Sequence, residues 1–216
     1  MKVFLIGGNG QVGKHMVNLL QESEKHELTA MVRSVEQAAQ LKESGVKAVV
    51  ADLEANVDEL AEVMKGSDAV IFTAGSGGKT GPDKTLLVDL DGAVKSMEAA
   101  EKVGANRYLM VSAFKAEDRE SWKDSPIKPY MVAKHYADRM LRESSLNYTI
   151  FGPGLLLNEP GTGKIDVNNN IKKTSISRED VARTVVAALD KENTYRKTIH
   201  LMSGECTIEK ALNQIS

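Results

Sequence analysis

Tyr130 and Lys134 stand four residues apart in PYMVAKH (129–135). That is about one helical turn, so in a helix the phenol and the ammonium would project from the same side. A phenol with an ordinary pKa near 10 is a poor base at neutral pH, and an adjacent ammonium can lower that value by about one to three units. The pair is therefore a candidate for proton transfer to or from a substrate oxygen. Two uncoupled surface residues would share the spacing, and the chain holds five Tyr. The decision rests with the elements that position the pair.

At the N-terminus the apolar run VFLI leads directly into GGNGQVGKHMVNLL, placing Gly7, Gly10 and Gly13 three apart across the start of a predicted helix. A side chain at position 10 would keep a pyrophosphate from the helix-start amides of Gln11 and Val12, while Gly13 lets the helix pack closely on the strand. Tight packing alone also uses such turns, but a strand before and a helix after are the context a dinucleotide cradle requires. The second strand ends MVRS. NAD-selective sites place Asp or Glu there to accept from the ribose 2′-hydroxyl, whereas Arg33 can pair with a 2′-phosphate and Ser34 can add a hydroxyl contact. NADP is thus favoured over NAD; the alternative is that Arg33 is a solvated strand-end residue. Asp52 and Leu53 close the third strand, where a carboxylate can accept from the adenine amino group or simply start a turn. Ala74 and Gly75, after the fourth strand, read as a backbone approach to the cofactor. The following Gly78-Lys79-Thr80 resembles the end of an ATP-binding P-loop, but position 73, where that motif needs glycine, is Thr.

Seven apolar runs look like strands: 2–7, 28–33, 47–52, 68–75, 107–113, 148–153 and 197–202. Most are apolar throughout, as strands buried on both faces must be. Amphipathic stretches alternate with them. Ser34 with Gln37 and Ser177 with Asp180 have helix-capping spacing, and Gly45 and Gly104 sit where helices should stop. The expected architecture is α/β: one Rossmann-fold domain over residues 1–216, with a doubly wound parallel sheet of about seven strands and helices on both faces. Irregular stretches are expected at 76–84, 114–128 and 157–175.

Composition narrows the partners. The net charge of −2, from 28 Lys+Arg and 30 Asp+Glu, carries no electrostatic footprint for nucleic acid or anionic lipid. Cys206 is the single cysteine, so no intrachain disulfide or thiolate cluster forms. His15, His26, His135 and His200 have no ligand spacing, and no metal is expected. No run has the length of a signal-peptide core or membrane span. A cytoplasmic protein acting on a small molecule, as monomer or homodimer, is the expectation.

These motifs in order, together with VDLDG (88–92), MVS (110–112), YMVAK (130–134) and LNYTIFGPGLL (146–156), resemble the atypical short-chain dehydrogenase/reductases. More narrowly, the chain is similar to the compact bacterial NAD(P)H-binding proteins called NAD-dependent epimerase/dehydratases, related to NmrA-like proteins and to biliverdin/flavin reductase. The resemblance implies that Tyr130 passes a proton while hydride moves to or from the nicotinamide. It implies that Lys134 lowers the tyrosine pKa and holds the nicotinamide ribose, and that Ser112 polarises the carbonyl. Three positions depart from the pattern. Ala113 follows Ser112 where relatives often have further serines. Gly152-Pro153-Gly154 lacks the arginine that often precedes this proline, leaving Pro153 a backbone contact to the cofactor. Asp89 stands where many members have an asparagine.

After Pro153 the chain soon returns to helix and strand, leaving little room for a nucleotide-sugar site. Elements within 114–128, with Phe114 and Trp122, and within 153–176 are expected to roof a small apolar pocket, although both aromatics could equally be packing under a loop. The expected function is an NADP-dependent oxidoreductase acting on a small carbonyl or planar substrate. The alternatives are an NAD(P)-sensing regulator without turnover, and an epimerase or dehydratase holding NAD.

Overall fold

The computed structural model describes residues 1–78, 80–167 and 174–215. Its strands are β1 (Lys2–Ile6), β2 (Glu27–Val32), β3 (Lys47–Val50), β4 (Ala69–Phe72), β5 (Arg107–Val111), β6 (Asn147–Pro153), β7 (Leu155–Leu157), β8 (Lys164–Asp166), β9 (Ser175–Ser177), β10 (Lys197–Ser203) and β11 (Cys206–Thr207). Seven of them run parallel in the order β3-β2-β1-β4-β5-β6-β10, and β8 and β11 extend the β10 edge antiparallel to make nine. A separate parallel pair joins β7 to β9. All seven expected strands are present. The additional ones are two or three residues long, too short to carry a periodic signal.

Alternation along each strand builds two cores. Val3 and Leu5 of β1 pack with Met16 and Leu20 of α1 (Gln11–Gln21) and with Val181 and Val185 of the later helix Arg178–Ala187. Phe4 and Ile6 point the other way, onto Leu60 of Val57–Met64, Met97 of Ala93–Val103 and Leu141 of Lys128–Glu143. In chain order the helices after α1 are α2 (Val35–Glu43), α3 (Val57–Met64), α4 (Pro82–Lys84), α5 (Ala93–Val103), α6 (Lys128–Glu143), α7 (Arg178–Ala187) and α8 (Ile208–Asn213). Both faces of the sheet are covered, which is why the strands read as unbroken apolar runs. Each fully buried Leu, Ile or Phe contributes roughly 1.5–3 kcal/mol to this core.

The capping signals act as spaced. Ser34 accepts from the Gln37 amide at 3.4 Å, and Ser177 from the Asp180 amide at 3.1 Å. Gly104 ends α5 in the left-handed region at φ 77°. The segment 76–84, expected to be irregular, already turns helical at Pro82. From Thr85 to Gly92 the helix is wound with the wider i→i+5 bonding of a π-helix before α5 begins. The 114–128 segment carries a short 3₁₀ turn at Arg119–Trp122. Of the 153–176 pocket element, residues 168–173 lie outside the described residues, as does Lys79 of the glycine-rich loop. Among the described residues, no helix is long and apolar enough to cross a membrane.

Strand order reverses at β1, which lies between β2 and β4. Helices leave to opposite faces there, and the carboxyl ends of β1 and β4 border the crevice in which sheets of this kind seat ligands.

Candidate active site

The turn after β1 is built for an anion by backbone alone. Gly7 has φ 91°, and the Gly10 amide donates to the Gly7 carbonyl at 2.9 Å. A Cβ on Gly13 would lie 2.1 Å from that same carbonyl, so α1 meets the turn as closely as atoms allow. At Gly10 a Cβ would meet only Gly7 O, at 3.2 Å, leaving the approach to the Gln11 and Val12 amides otherwise open. Helix α1 has neither a side-chain cap nor an acidic residue in its first turn, whereas α2, α3 and α7 have both. The positive end of its dipole is thus uncompensated, which fits a pyrophosphate. The β4 loop closes against it: a Cβ on Gly7 would stand 2.8 Å from Ala74 N. Ala74 and Gly75 therefore lie directly beside the glycine turn.

Toward the β2 end, Arg33 is exposed, and its guanidinium has no partner among the described residues; its amide donates to Gln37 Oε1 at 3.3 Å. The Ser34 hydroxyl hydrogen-bonds Glu36, holding that exposed carboxyl below its usual range. Asp52 accepts from the Glu54 amide at 2.9 Å, making the turn that was one of its two sequence readings. Leu53 is buried and packs with the β1–α5 face.

Across the crevice, α6 turns Tyr130, Lys134 and Asp138 to one face, each four residues after the last. Lys134 is 2% exposed; its Nζ donates to Val111 O at 3.4 Å and lies 3.6 Å from Asp89 Oδ1 and 5.6 Å from the Tyr130 ring centre. Asp89 comes from the π-wound segment, and its Oδ2 accepts from the Ser76 amide at 2.9 Å, tying the β4 loop to the lysine. Gly75 leaves room for this carboxylate, because a Cβ would sit a tight 3.0 Å from Asp89 Oδ1. The partly buried Tyr130 makes no hydrogen bond through its hydroxyl to a described residue. The structure thus brings together the glycine turn, Ala74–Gly75, Lys134 and Asp89 around the crevice.

Two site expectations change. The first is the tyrosine. Burial raises the Tyr130 pKa; Lys134 pulls it down, but Asp89 and Asp138 push it up again, so the phenol stands above its ordinary value and not below it. Burial is the first cause, and the ammonium offsets only part of it. Burial would likewise lower Lys134, yet Tyr130, Asp89 and Asp138 together hold it above its usual value. The second is Ser112, 4% exposed, whose hydroxyl donates to Asp138 Oδ2 at 2.7 Å. In this arrangement its proton is committed to a carboxylate and not offered to a carbonyl. Asp138, 1% exposed, is pushed up to about 6 by burial, against the pull of Ser112 and Lys134. Sequence reasoning missed it, although its place two turns beyond Tyr130 was visible.

The roofing residues divide. Trp122 packs beneath its loop, its indole N–H donating to Ala116 O at 3.2 Å, while Phe114 stands edge-on to His200 at 5.0 Å. Pro153 is buried, and its carbonyl accepts from the Phe114 amide at 3.0 Å. His200 pairs with Glu117 at 2.9 Å. Among the described residues, no group of three or more His, Cys, Asp or Glu could hold a metal.

Comparison with known proteins agrees with this fold. The family model described as NAD(P)H-binding matches residues 7–192. An uncharacterised sugar epimerase of Bacillus subtilis, YhfK, is 53% identical over 100% of both chains. A Bacillus halodurans structure with the provisional name NAD-dependent epimerase/dehydratase superposes with a TM-score of 0.91 at 40% identity, covering 99% of each chain. The Lactococcus lactis oxidoreductase ylbE superposes at 0.90 with 37% identity, covering 100% of this chain and 96% of that one. With its glycine turn, its parallel sheet and relatives matched along their whole length, the chain belongs to the NAD(P)H-binding family of oxidoreductase- and epimerase-like Rossmann proteins.

Proposed function

We propose that the protein is an NADP-dependent oxidoreductase acting on a small carbonyl or planar substrate. The observation that carries this reading is the convergence of Tyr130 and the buried Lys134 on the loop that also touches the glycine turn. When bound, the nicotinamide supplies or accepts the hydride. The chain does the rest. Gly7, Gly10 and Gly13 with the Gln11 and Val12 amides seat the pyrophosphate, and Arg33 pairs with the 2′-phosphate, assisted by Ser34. Asp52 and Leu53 border the adenine, while Ala74, Gly75 and Pro153 offer backbone along the cofactor. Lys134 donates to ribose hydroxyls, and Tyr130 holds the proton exchanged with the substrate oxygen. Ser112 would polarise the carbonyl only after turning its hydroxyl away from Asp138.

Titration of both nucleotides followed by a carbonyl screen tests the reading. NADPH should bind more tightly than NADH and be consumed by at least one carbonyl compound; equal binding and no turnover would remove it. The relatives' names favour a second reading, an epimerase that retains nicotinamide through its cycle. Nicotinamide absorbance surviving gel filtration would select that reading. The commitment of Ser112 to Asp138 favours a third, a sensor that binds nucleotide without turnover.

A further inference from the structure

Arg178 is the half-buried first residue of α7, where β9 runs into the helix. Its Nη1 donates to Leu156 O at 2.9 Å and to Asn158 Oδ1 at 2.8 Å, so both protons of that nitrogen are taken. A guanidinium carries five N–H donors in one plane, and these two bonds fix the plane. The opposite edge, Nε with Nη2, makes no hydrogen bond to a described residue. That edge presents two parallel donors at the spacing of the two oxygens of a carboxylate.

The carboxylates nearest in sequence are turned elsewhere. Glu179 accepts from the Gly161 amide at 2.7 Å and pairs with Arg183, while Asp180 accepts from the Thr162 and Gly163 amides, each at 2.8 Å. Arg107 shows the contrast. Buried at the other end of β5, it makes five side-chain hydrogen bonds and leaves no edge open.

The bonds of Arg178 also set its place. Leu156 lies in β7, three residues after Pro153 at the carboxyl end of β6. The Pro153 carbonyl accepts from Phe114, two residues beyond Ser112, and β6 is the strand beside β5. With strands about 4.8 Å apart, Arg178 borders the crevice on the side away from the glycine turn, at a distance from Ser112 on the order of 10 Å. Leu155, on the chain between, is 70% exposed and offers an apolar surface. Lys115 adds a second positive charge, its Nζ 5.5 Å from the Phe114 ring centre.

We infer that the substrate carries a carboxylate and that Arg178 receives it on its Nε–Nη2 edge. This names the substrate class of the site proposed above and rests on that reading for the place of the carbonyl. Arg178 is then a specificity-determining residue: it holds the acid at one end of a small planar molecule whose carbonyl stands at Tyr130.

The test compares para-carboxybenzaldehyde with benzaldehyde, which differ only in the carboxylate, in NADPH-dependent reduction by the full-length protein. The carboxylated aldehyde should have a KM lower by about tenfold or more, as expected for charge-assisted hydrogen bonds. Arg178→Gln, which keeps a donor for Leu156 O, should raise that KM by roughly tenfold while sparing the KM of benzaldehyde and the affinity for NADPH. A purely structural role would harm both aldehydes alike, and that result overturns the inference. Should the variant fail to fold, the wild type still decides: a preference for the carboxylated aldehyde that shrinks as salt is raised supports the inference, and no preference overturns it. A second arm needs no turnover. Calorimetry of the NADP-loaded protein should find benzoate bound more tightly than benzamide, with the difference lost in Arg178→Gln; equal binding, or none, overturns the inference. Benzoate selectivity without reduction of any aldehyde would defeat the oxidoreductase reading alone. Reduction of both aldehydes with equal KM would defeat this inference alone.

Discussion

Two walls of the crevice are made in opposite ways. The glycine turn uses no charged side chain: its anion seat is a set of amides at the start of α1, left without cap or acid while α2, α3 and α7 have both. The α6 wall is made of polar side chains, three of them charged: Lys134 and Asp138 with Tyr130 from α6, Asp89 from the π-wound segment and Ser112 from just after β5. A backbone seat needs only space and a local turn. A buried charged network needs every partner present at once, because each unpaired group costs the fold energy.

Tyr130→Phe should separate the walls most sharply. Carbonyl turnover is expected to fall by roughly 10²–10⁴-fold with nucleotide affinity unchanged, as general acid catalysis of this kind contributes about that much. Parallel kinetics and equilibrium titration read both numbers, and normal turnover would end the proton-transfer assignment. Gly13→Ala strikes the other wall, since its Cβ would fall 2.1 Å from Gly7 O. A loss of about 3 kcal/mol is expected, seen as a melting temperature lower by roughly 6–12 °C. Nucleotide binding should weaken as well; an unaltered melting curve would mean that the turn gives way easily.

Asp138→Asn should sharpen the contrast by showing what the charged wall costs. Burial raises the folded pKa of Asp138 to about 6, above the ordinary aspartate value of 3.8. The folded state therefore holds this proton more tightly, and stability declines as pH rises from about 4 to 6. Removing the charge is expected to stabilise the protein at pH 8 by on the order of 2–3 kcal/mol and to remove that slope. Urea unfolding at pH 5 and pH 8 measures it. Arg33→Ala belongs to the backbone wall's rim and should weaken NADPH binding about tenfold while sparing NADH. Equal losses would remove the 2′-phosphate contact. The smallest effect is expected far from both walls. His26 is 6% exposed at the side chain and is lowered from 6.5 by burial, with Asp190 partly offsetting. Its neutral form is the folded one, so stability should fall as pH drops below about 6.5. His26→Gln should flatten that loss relative to wild type in the same unfolding series.

The walls also differ in how far they could be read from residues alone. The glycine turn, the seven long strands and the Ser34 and Ser177 caps depend on neighbours within a few positions, and these were legible. The pairing of Ser112 with Asp138 spans 26 residues, and that of Lys134 with Asp89 spans 45 and depends on the π winding of Thr85–Gly92. No local spacing encodes that winding. The direction of the Tyr130 pKa is hidden for a similar reason: the ammonium that lowers it lies one turn away, whereas the burial that raises it more is set by tertiary packing. Repetition every four residues through Tyr130, Lys134 and Asp138 was the one available hint. That repeat places Asp138 on the face of the pair without saying what it meets there.

The contact between Gly7 and Ala74 joins the two walls. A Cβ at Gly7 would collide with Ala74 N, and the Thr73 amide donates to Ile6 O at 3.0 Å, so the seat at the head of α1 and the loop under Asp89 are held in direct backbone contact. A side chain added at position 7 would wedge these two surfaces apart and disturb both ends of the crevice at once.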